Sequence, residues 1–403
     1  MILSATFSSA ASSLNEDRWN LVICEERVEE VLSASLIGTL NNNSDGTVEV
    51  FINLPSAPSD AISSARRNYG RSTAVEISKN HAETTQEPIL EIVEQRGGEI
   101  INQFWLTNSI FAEVPVYELE SIAQIPQIQG IHENFEFGLL DYEVNEIGLE
   151  DGNSDYLHSL VIGSDTPDPD DEWHLDAINA RDVWDEGYTG EGVTIAVLDT
   201  GVNLDHNEFG GDNDHYWHDV YDEHSDPSDG DGHGTAVSAL VAGSNLGVAP
   251  DADLYHVNVF DGPYAYLDKI IDGLEFISSN TESDVVVMSL GGVYDDDADS
   301  IHDKINDLGI IPVVASGNKP GIEHVNTLAI PQSAIAVGAS DENNYIPEFS
   351  LGGLINSDYP GACTEHDQDY IKPDFAAPGK DIVLAVVGMT CIYRTAEPHS
   401  QPL

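Results

Sequence analysis

Asp229-Gly-Asp-Gly-His-Gly-Thr-Ala-Val-Ser-Ala-Leu-Val-Ala-Gly243 is the stretch around which the chain is organised. One histidine, His233, stands between Gly232 and Gly234, which let the backbone turn tightly and let another chain approach. From Thr235 to Gly243 the residues are small or aliphatic on every face, the composition of a buried helix rather than an amphipathic one. His233 is therefore expected at the start of a core helix, facing a cleft. A satisfied structural histidine is the plain alternative.

Outward from this stretch, from Trp173 on, apolar β-rich runs alternate with helical segments. The runs are Val193 to Leu198, Leu254 to Val259, Asp284 to Leu290, Ile311 to Ala315 and Ala334 to Val337, with helical patterns at 234–243, 265–279 and 297–308 between them. Buried strands alternating with helices predict an α/β fold, a parallel sheet with helices on both faces. Ligands then bind at the carboxyl ends of the strands. Val193-Thr-Ile-Ala-Val-Leu-Asp-Thr-Gly-Val202 puts Asp199 at such an end. Gly190 and Gly192 precede this strand, so they are not a phosphate-binding loop. His233 follows Asp199 by 34 residues, about one crossover, and a buried aspartate can orient an imidazole as a general base. Two alternatives stand beside this. Asp199 can be a turn acid next to Gly201. It can also be the Asp-Thr-Gly of an aspartic protease, which would need a homodimer, because two carboxylates must share a proton and the chain has one such tripeptide.

Residues 1–46 carry no assignable pattern. Thr47 to Leu54 alternates like a strand, and Ala74 to Gln95 has helical spacing that Pro88 either breaks or starts. Gly97-Gly98 punctuates. Glu99 to Trp105 and Ser109 to Val116 read as strands, Tyr117 to Ile125 as a short helix and Ile128 to Glu133 as a last strand. The order β-α-β-β-α-β over 47–137 is that of a small α+β ferredoxin-like domain. Residues 138–172, ending Thr166-Pro-Asp-Pro-Asp-Asp171, form an acidic linker, the expected first site of proteolysis. Residues 173–403 make the second domain.

Acids outnumber bases by 72 to 14 along nearly the whole of the 403 residues, giving a formal charge of -58 that excludes nucleic acid as a partner. Self-repulsion destabilises such a compact state at low salt, and about 1 M salt shortens the Debye length to roughly 3 Å. A protein adapted to high salt is the expectation. Cys24, Cys363 and Cys391 are too scattered for a disulfide framework or a zinc site. No run reaches transmembrane length, and the first twenty residues show no signal peptide. His206, His215, His218 and His224 lie among acids without the spacing of a zinc site. Asp295-Asp-Asp-Ala-Asp299 offers oxygen ligands for a hard cation but lacks the Gly and Glu of a calcium loop.

Several motifs occur together in one order. Val193 to Val202 resembles the first catalytic motif of the subtilisin-like serine proteases (peptidase family S8), and Asp231-Gly-His-Gly-Thr235 resembles their second. Ser289-Leu-Gly-Gly292 resembles their substrate-binding strand, Val314-Ala-Ser-Gly-Asn318 their oxyanion segment, and Lys372-Pro-Asp-Phe-Ala-Ala-Pro-Gly379 the run that leads to the nucleophile. The resemblance covers about 173–386. It implies a serine-type endopeptidase in which Asp199 orients and His233 is the base. Asn318 would stabilise the oxyanion, while Ser289, Leu290, Gly291 and Gly292 pair with an extended polypeptide substrate. The small first domain resembles the family's inhibitory propeptide. An extracellular location and bound calcium are further family expectations, although no export signal or calcium site is visible.

The resemblance fails at the nucleophile. No Gly-Thr-Ser-Met run followed by Pro-His occurs after Gly379, and the only serine after Ser357 is Ser400. Aligning Ala396-Glu-Pro-His399 with the family's Pro-His puts Arg394 at the serine position, and neither Thr390 nor Thr395 follows the expected Gly-Thr run. The acidic bias also ends from about Val387. A frameshifted or truncated copy and a pseudoenzyme that binds peptides or a partner are both open at this point.

Overall fold

The computed structural model describes residues 27–28, 30–42, 46–139, 172–221, 225–292, 298–318, 325–356, 369–386 and 389–392. The chain divides into two compact units. Unit 1 comprises residues 1–58 and 76–134, and unit 2 comprises 59–75 and 135–403.

Unit 1 contains α1 (Ala34–Asn42), β1 (Thr47–Asn53), most of a long helix, β2 (Glu99–Phe104), β3 (Ser109–Pro115), α4 (Leu119–Ala123) and β4 (Gly130–Glu133). The long helix α3 (Arg71–Gln95) follows α2 (Ser59–Tyr69), and both start in the segment that belongs to unit 2. The strands form an antiparallel sheet of order β2-β3-β1-β4, and the predicted β-α-β-β-α-β succession is present. α3 runs through Pro88. A proline in a helix interior costs about 3 kcal/mol, and here Ile89 and Val93, both fully buried beside it, hold the helix on the sheet. Val50 and Ile52 of β1 join them in the core. On the other face of β1, Phe51 stacks with Phe104, Phe111 and His132.

Unit 2 begins, after α2, with β5 (Glu136–Leu139), two residues of which lie in the stretch expected as linker. It continues with α5 (Trp173–Ala177), α6 (Ala180–Asp185), β6 (Thr194–Asp199), β7 (His215–Asp219), α7 (His233–Ala242), β8 (Asp253–Asn258), β9 (Phe260–Asp261) and β10 (Tyr264–Tyr266). Then come α8 (Leu267–Asn280), β11 (Val285–Met288), β12 (Leu290–Gly291), α9 (Ala298–Asp307), β13 (Ile311–Ala315), β14 (Ile335–Ser340) and the short pair β15 (Gly353–Ile355) and β16 (Tyr370–Lys372). The last strands are β17 (Phe375–Pro378), β18 (Val383–Val386) and β19 (Met389–Ile392).

Seven strands form a parallel sheet of order β17-β14-β13-β11-β6-β8-β7; the five apolar runs supply β6, β8, β11, β13 and β14, and β7 and β17 extend it at the two edges. β6 is buried on both faces. Ile195 and Val197 join Ala239 and Ala242 of α7 in one core, while Leu198 meets α8 at Gly273, where a Cβ would stand 2.6 Å from its Cδ1. The chain leaves β6 for β7 and β8 on one side and returns to β11 on the other. The crevice at the carboxyl end of β6 is thus a topological switch point. Among the described residues, no helix is long and apolar enough to cross a membrane.

Candidate active site

Side chains alternate along a strand, so Asp199 projects on the same side of β6 as Ile195 and Val197, toward α7. His233 is the first residue of α7. Its Nδ1 lies 2.7 Å from Asp199 Oδ1, and the two side chains are 10% and 1% exposed. Asp199 Oδ1 also accepts the Thr200 backbone N–H at 2.8 Å. Burial works against the charged imidazole. The charge and hydrogen bond of Asp199, with Asp231 and Asp229 behind them, outweigh burial and raise the pKa of His233 above its ordinary value. An aspartic-protease dyad needs a second carboxylate on Asp199, whereas its partner here is an imidazole.

Two glycines bring the pair together. A Cβ on Gly234 would stand 2.2 Å from the carbonyl oxygen of Gly201, so the start of α7 lies backbone to backbone against the turn after Asp199. The close approach expected of Gly234 is therefore made by the protein's own turn.

Asp229 fixes the same junction, and sequence reasoning missed it. Its Oδ1 accepts from Thr200 Oγ1 at 3.0 Å and from the Gly232 N–H at 2.8 Å, and its Oδ2 accepts from the N–H and the hydroxyl of Thr235 at 2.8 and 2.6 Å. Thr200 Oγ1 in turn accepts the Gly234 N–H at 2.9 Å. One carboxylate thus ties the residue after Asp199 to both sides of His233.

Asn318 follows β13 by three residues, at the same edge of the sheet as Asp199 and two strands away, roughly 10 Å between strand axes. Ser289 is half-buried between β11 and β12, and Leu290 and Gly291 form β12. β12 pairs antiparallel with β5, Leu290 opposite Leu139 and Gly291 opposite Gly138. On its other edge β5 pairs with β10, Phe137 opposite Ala265 and Glu136 opposite Tyr266. Residues 136–139 therefore lie as an extended strand between two edges, with Phe137 fully buried and its ring 3.1 Å from where a Cβ on Gly292 would be.

A second residue missed in the sequence holds these edges in register. Asn326 Nδ2 donates to Leu290 O and Ala315 O, both at 2.9 Å, and its Oδ1 accepts from the N–H groups of Gly292 and Leu328 at 3.3 Å. A Cβ on Gly291 would stand 2.7 Å from this carboxamide. Asn326 couples β12 to the end of β13, from which Ser316-Gly317-Asn318 departs.

The histidine cluster does not converge. His206 Nδ1 accepts the Glu208 N–H, His218 stacks flat on Phe276 at 3.7 Å, and His215 meets His256 at 3.3 Å. His224 lies outside the described residues, as do Asp295, Asp296 and Asp297. Among the described residues, no three His, Cys, Asp or Glu side chains gather at metal-binding range. Arg394, Thr395, Ser400, Cys24 and Cys363 also lie outside the described residues, and of Thr390 and Cys391 only the backbone is described, in β19.

A sequence profile of the "Subtilase family" matches residues 190–402, just over half of the chain. The chain is 30% identical to the minor extracellular protease Epr of Bacillus subtilis (strain 168) over 272 residues, 64% of this chain and 38% of that protein. It is 30% identical to subtilisin E of the same organism over 279 residues, 65% of this chain and 64% of that one. To alkaline protease 1 of Emericella nidulans it is 28% identical over 314 residues, 70% of this chain and 72% of that protein. The chain thus spans from 38% to 72% of the length of these relatives. In fold it is similar to fervidolysin from Fervidobacterium pennivorans, described as a keratinolytic enzyme related to subtilisin, with a TM-score of 0.56 and 17% identity over 89% of this chain and 50% of that one. Five motifs in one order, a parallel sheet with Asp199 and His233 joined at its switch point, and a profile match over most of unit 2 lead to one conclusion: the chain belongs to the subtilase family.

Proposed function

We propose that this chain carries the peptide-binding and general-base parts of a subtilisin-like serine endopeptidase and, as written, does not hydrolyse peptides at protease rates. The observation that carries this is the 2.7 Å contact between His233 and Asp199, with the imidazole held above its ordinary pKa. Neutral His233 accepts a proton from a nucleophile, Asp199 holds it in orientation, and Asn318 donates to the oxyanion. Ser289 to Gly292 on one side and Tyr264 to Tyr266 on the other clasp an extended polypeptide. β5, lying between those edges, supports this assignment.

In the same proposal, residues 47–137 are a propeptide-like domain whose tail occupies the substrate seat, 138–172 connect it, and 173–403 are the peptidase domain. The name of the Epr relative, an extracellular protease, supports an extracellular site.

The doubt about turnover lies in the nucleophile's usual context, which the residues after Gly379 do not contain. No serine stands in a Gly-Thr-Ser-Met context, and Arg394 carries a guanidinium that stays protonated. Removing the serine from subtilisin costs roughly 2 × 10⁶ in kcat, about 8 to 9 kcal/mol of barrier. Binding and the oxyanion donor alone leave about 10³ to 10⁴ over water. Turnover of an unfolded polypeptide tests this. The expected result is cleavage at no more than that residual rate, changed little by His233→Ala. Protease-level cleavage abolished by His233→Ala would contradict it.

A further inference from the structure

Residues 59–75 interrupt unit 1 in sequence yet belong to unit 2. They carry Arg66, Arg67 and Arg71, three of the chain's 14 basic residues, against one acid, Asp60. The surface that receives them is formed by the C-terminal ends of α8 and α9. At α9 the Gly309 N–H donates to Asn306 O and the Ile310 N–H to Ile305 O, the paired bonds of a glycine-terminated helix. Leu308 O is taken by Arg71, whose Nε donates to it at 3.1 Å. Arg71 Nη1 donates at 3.3 Å to Thr281 O, the carbonyl that ends α8. One guanidinium therefore caps two helix C termini, where helix dipoles concentrate negative charge. Glu282 and Asp284 act on it electrostatically as well.

Asp307 lies in the last turn of α9, the end at which the dipole disfavours an acid, and it is 8% exposed. For α9 alone the residue is unfavourable. Against α2 it has a purpose. Its Oδ1 accepts the hydroxyls of Ser59 and Ser63, each at 2.7 Å, and these serines, four residues apart, share one face of α2. Arg66 packs on Gly309, where a Cβ would stand 2.6 Å from its Nη1.

We propose that the paired C-terminal ends of α8 and α9, with Asp307, are a docking surface of the peptidase fold. Its partner is a helix that presents two serines four residues apart followed by arginines, here this chain's own residues 59–75. The surface shares no residue with the Asp199–His233 pair or with the edges that hold β5. Its consequence rests on the propeptide-like reading. When the linker is cut, the N-terminal fragment keeps two independent holds, β5 and residues 59–75. Hydrogen bonds to helix-end carbonyls and to a buried carboxylate are screened far less than surface ion pairs, so the second hold persists in molar salt.

The test starts from the full chain nicked in the linker by a glutamate-specific protease, at Glu143, Glu146 or Glu150. Release of the N-terminal fragment is followed by size-exclusion chromatography in molar salt. Wild type is compared with Phe137→Ala, with Arg71→Ala and with the triple variant Ser59→Ala/Ser63→Ala/Arg71→Ala, each checked by circular dichroism before nicking. Arg71→Lys, which keeps the charge but loses the rigid fork of donors, serves if the alanine variants are unfolded. The expected result is slow release from wild type and release about tenfold faster or more from the anchor variants. Release from the triple variant no faster than from wild type overturns the proposal. If Phe137→Ala alone frees the fragment, β5 is the sole hold and this proposal falls while the substrate-seat assignment stands.

Discussion

Asp199 and His233 form a pair whose charges are coupled, and the coupling has a sign. Because the folded state raises the pKa of His233, the ion pair contributes stability that is fully present below about pH 6.5, the unfolded value, and is lost as pH rises through the folded value. Base function has the opposite window and needs pH above that value. Titration of His233 by NMR should give a midpoint above that of a free imidazole. Asp199→Asn should lower it, and Asp229→Asn should lower it less. A midpoint unmoved by Asp199→Asn would mean that the contact carries no charge. His256 behaves the other way. Fully buried between Ser238 and His215, it is pushed down to about 3, first by burial and then by His215. It must take up a proton on unfolding, so stability falls as pH drops from about 6.5 toward 3. Denaturant midpoints measured across that range should fall less steeply in His256→Gln than in wild type; equal slopes would count against it. Asp199 and His233 were legible in the sequence because their signatures are local. Asn326 was not, since its bond to Leu290 reaches across 36 residues, and Asp229 was not, since its tie to Thr200 reaches across 29 and its local bonds to Gly232 and Thr235 look like those of any turn acid.

At the scale of elements, the strands were the most legible part. β13 begins and ends where its apolar run does, and β6, buried on both faces and so apolar from Ile195 to Leu198, ends at Asp199. α2 went unread: it is largely polar, and only Ile62 and Ala65 are buried. β5 was partly read as linker because its sequence, Glu136-Phe-Gly-Leu139, is too short for a periodic signal and its strand character comes from the edges on either side. The register of β12 rests on Gly291 lying against Asn326. Gly291→Ala puts a methyl into the carboxamide, and Asn326→Ala leaves Leu290 O and Ala315 O without their donor. Each should cost about 1 to 3 kcal/mol in denaturant unfolding. In the double variant the methyl occupies space that the carboxamide has left, so the combined loss should be smaller than the sum, as expected for residues in contact. Strict additivity would show that the two do not share that space.

For the whole molecule, the charge of -58 is the dominant physical fact and the one that the fold does least to explain. Ion pairs among the described residues involve few acids, among them Arg96 with Glu118 and Lys372 with Asp374, so the excess is left to repel itself. Folding should therefore require molar salt. Circular dichroism across a salt series should show the native spectrum emerging as salt rises, and a native spectrum at low salt that high salt leaves unchanged would contradict this. The central proposal is narrower: the chain pairs Asp199 with His233 but supplies no serine in a Gly-Thr-Ser-Met context for them. It is tested most directly by titrating the full chain with an active-site-directed phosphonate and counting labelled protein. The expected result is no burst and no stoichiometric label, with any slow labelling unchanged in His233→Ala. One label per chain, lost in His233→Ala, would show that a nucleophile does work with this histidine.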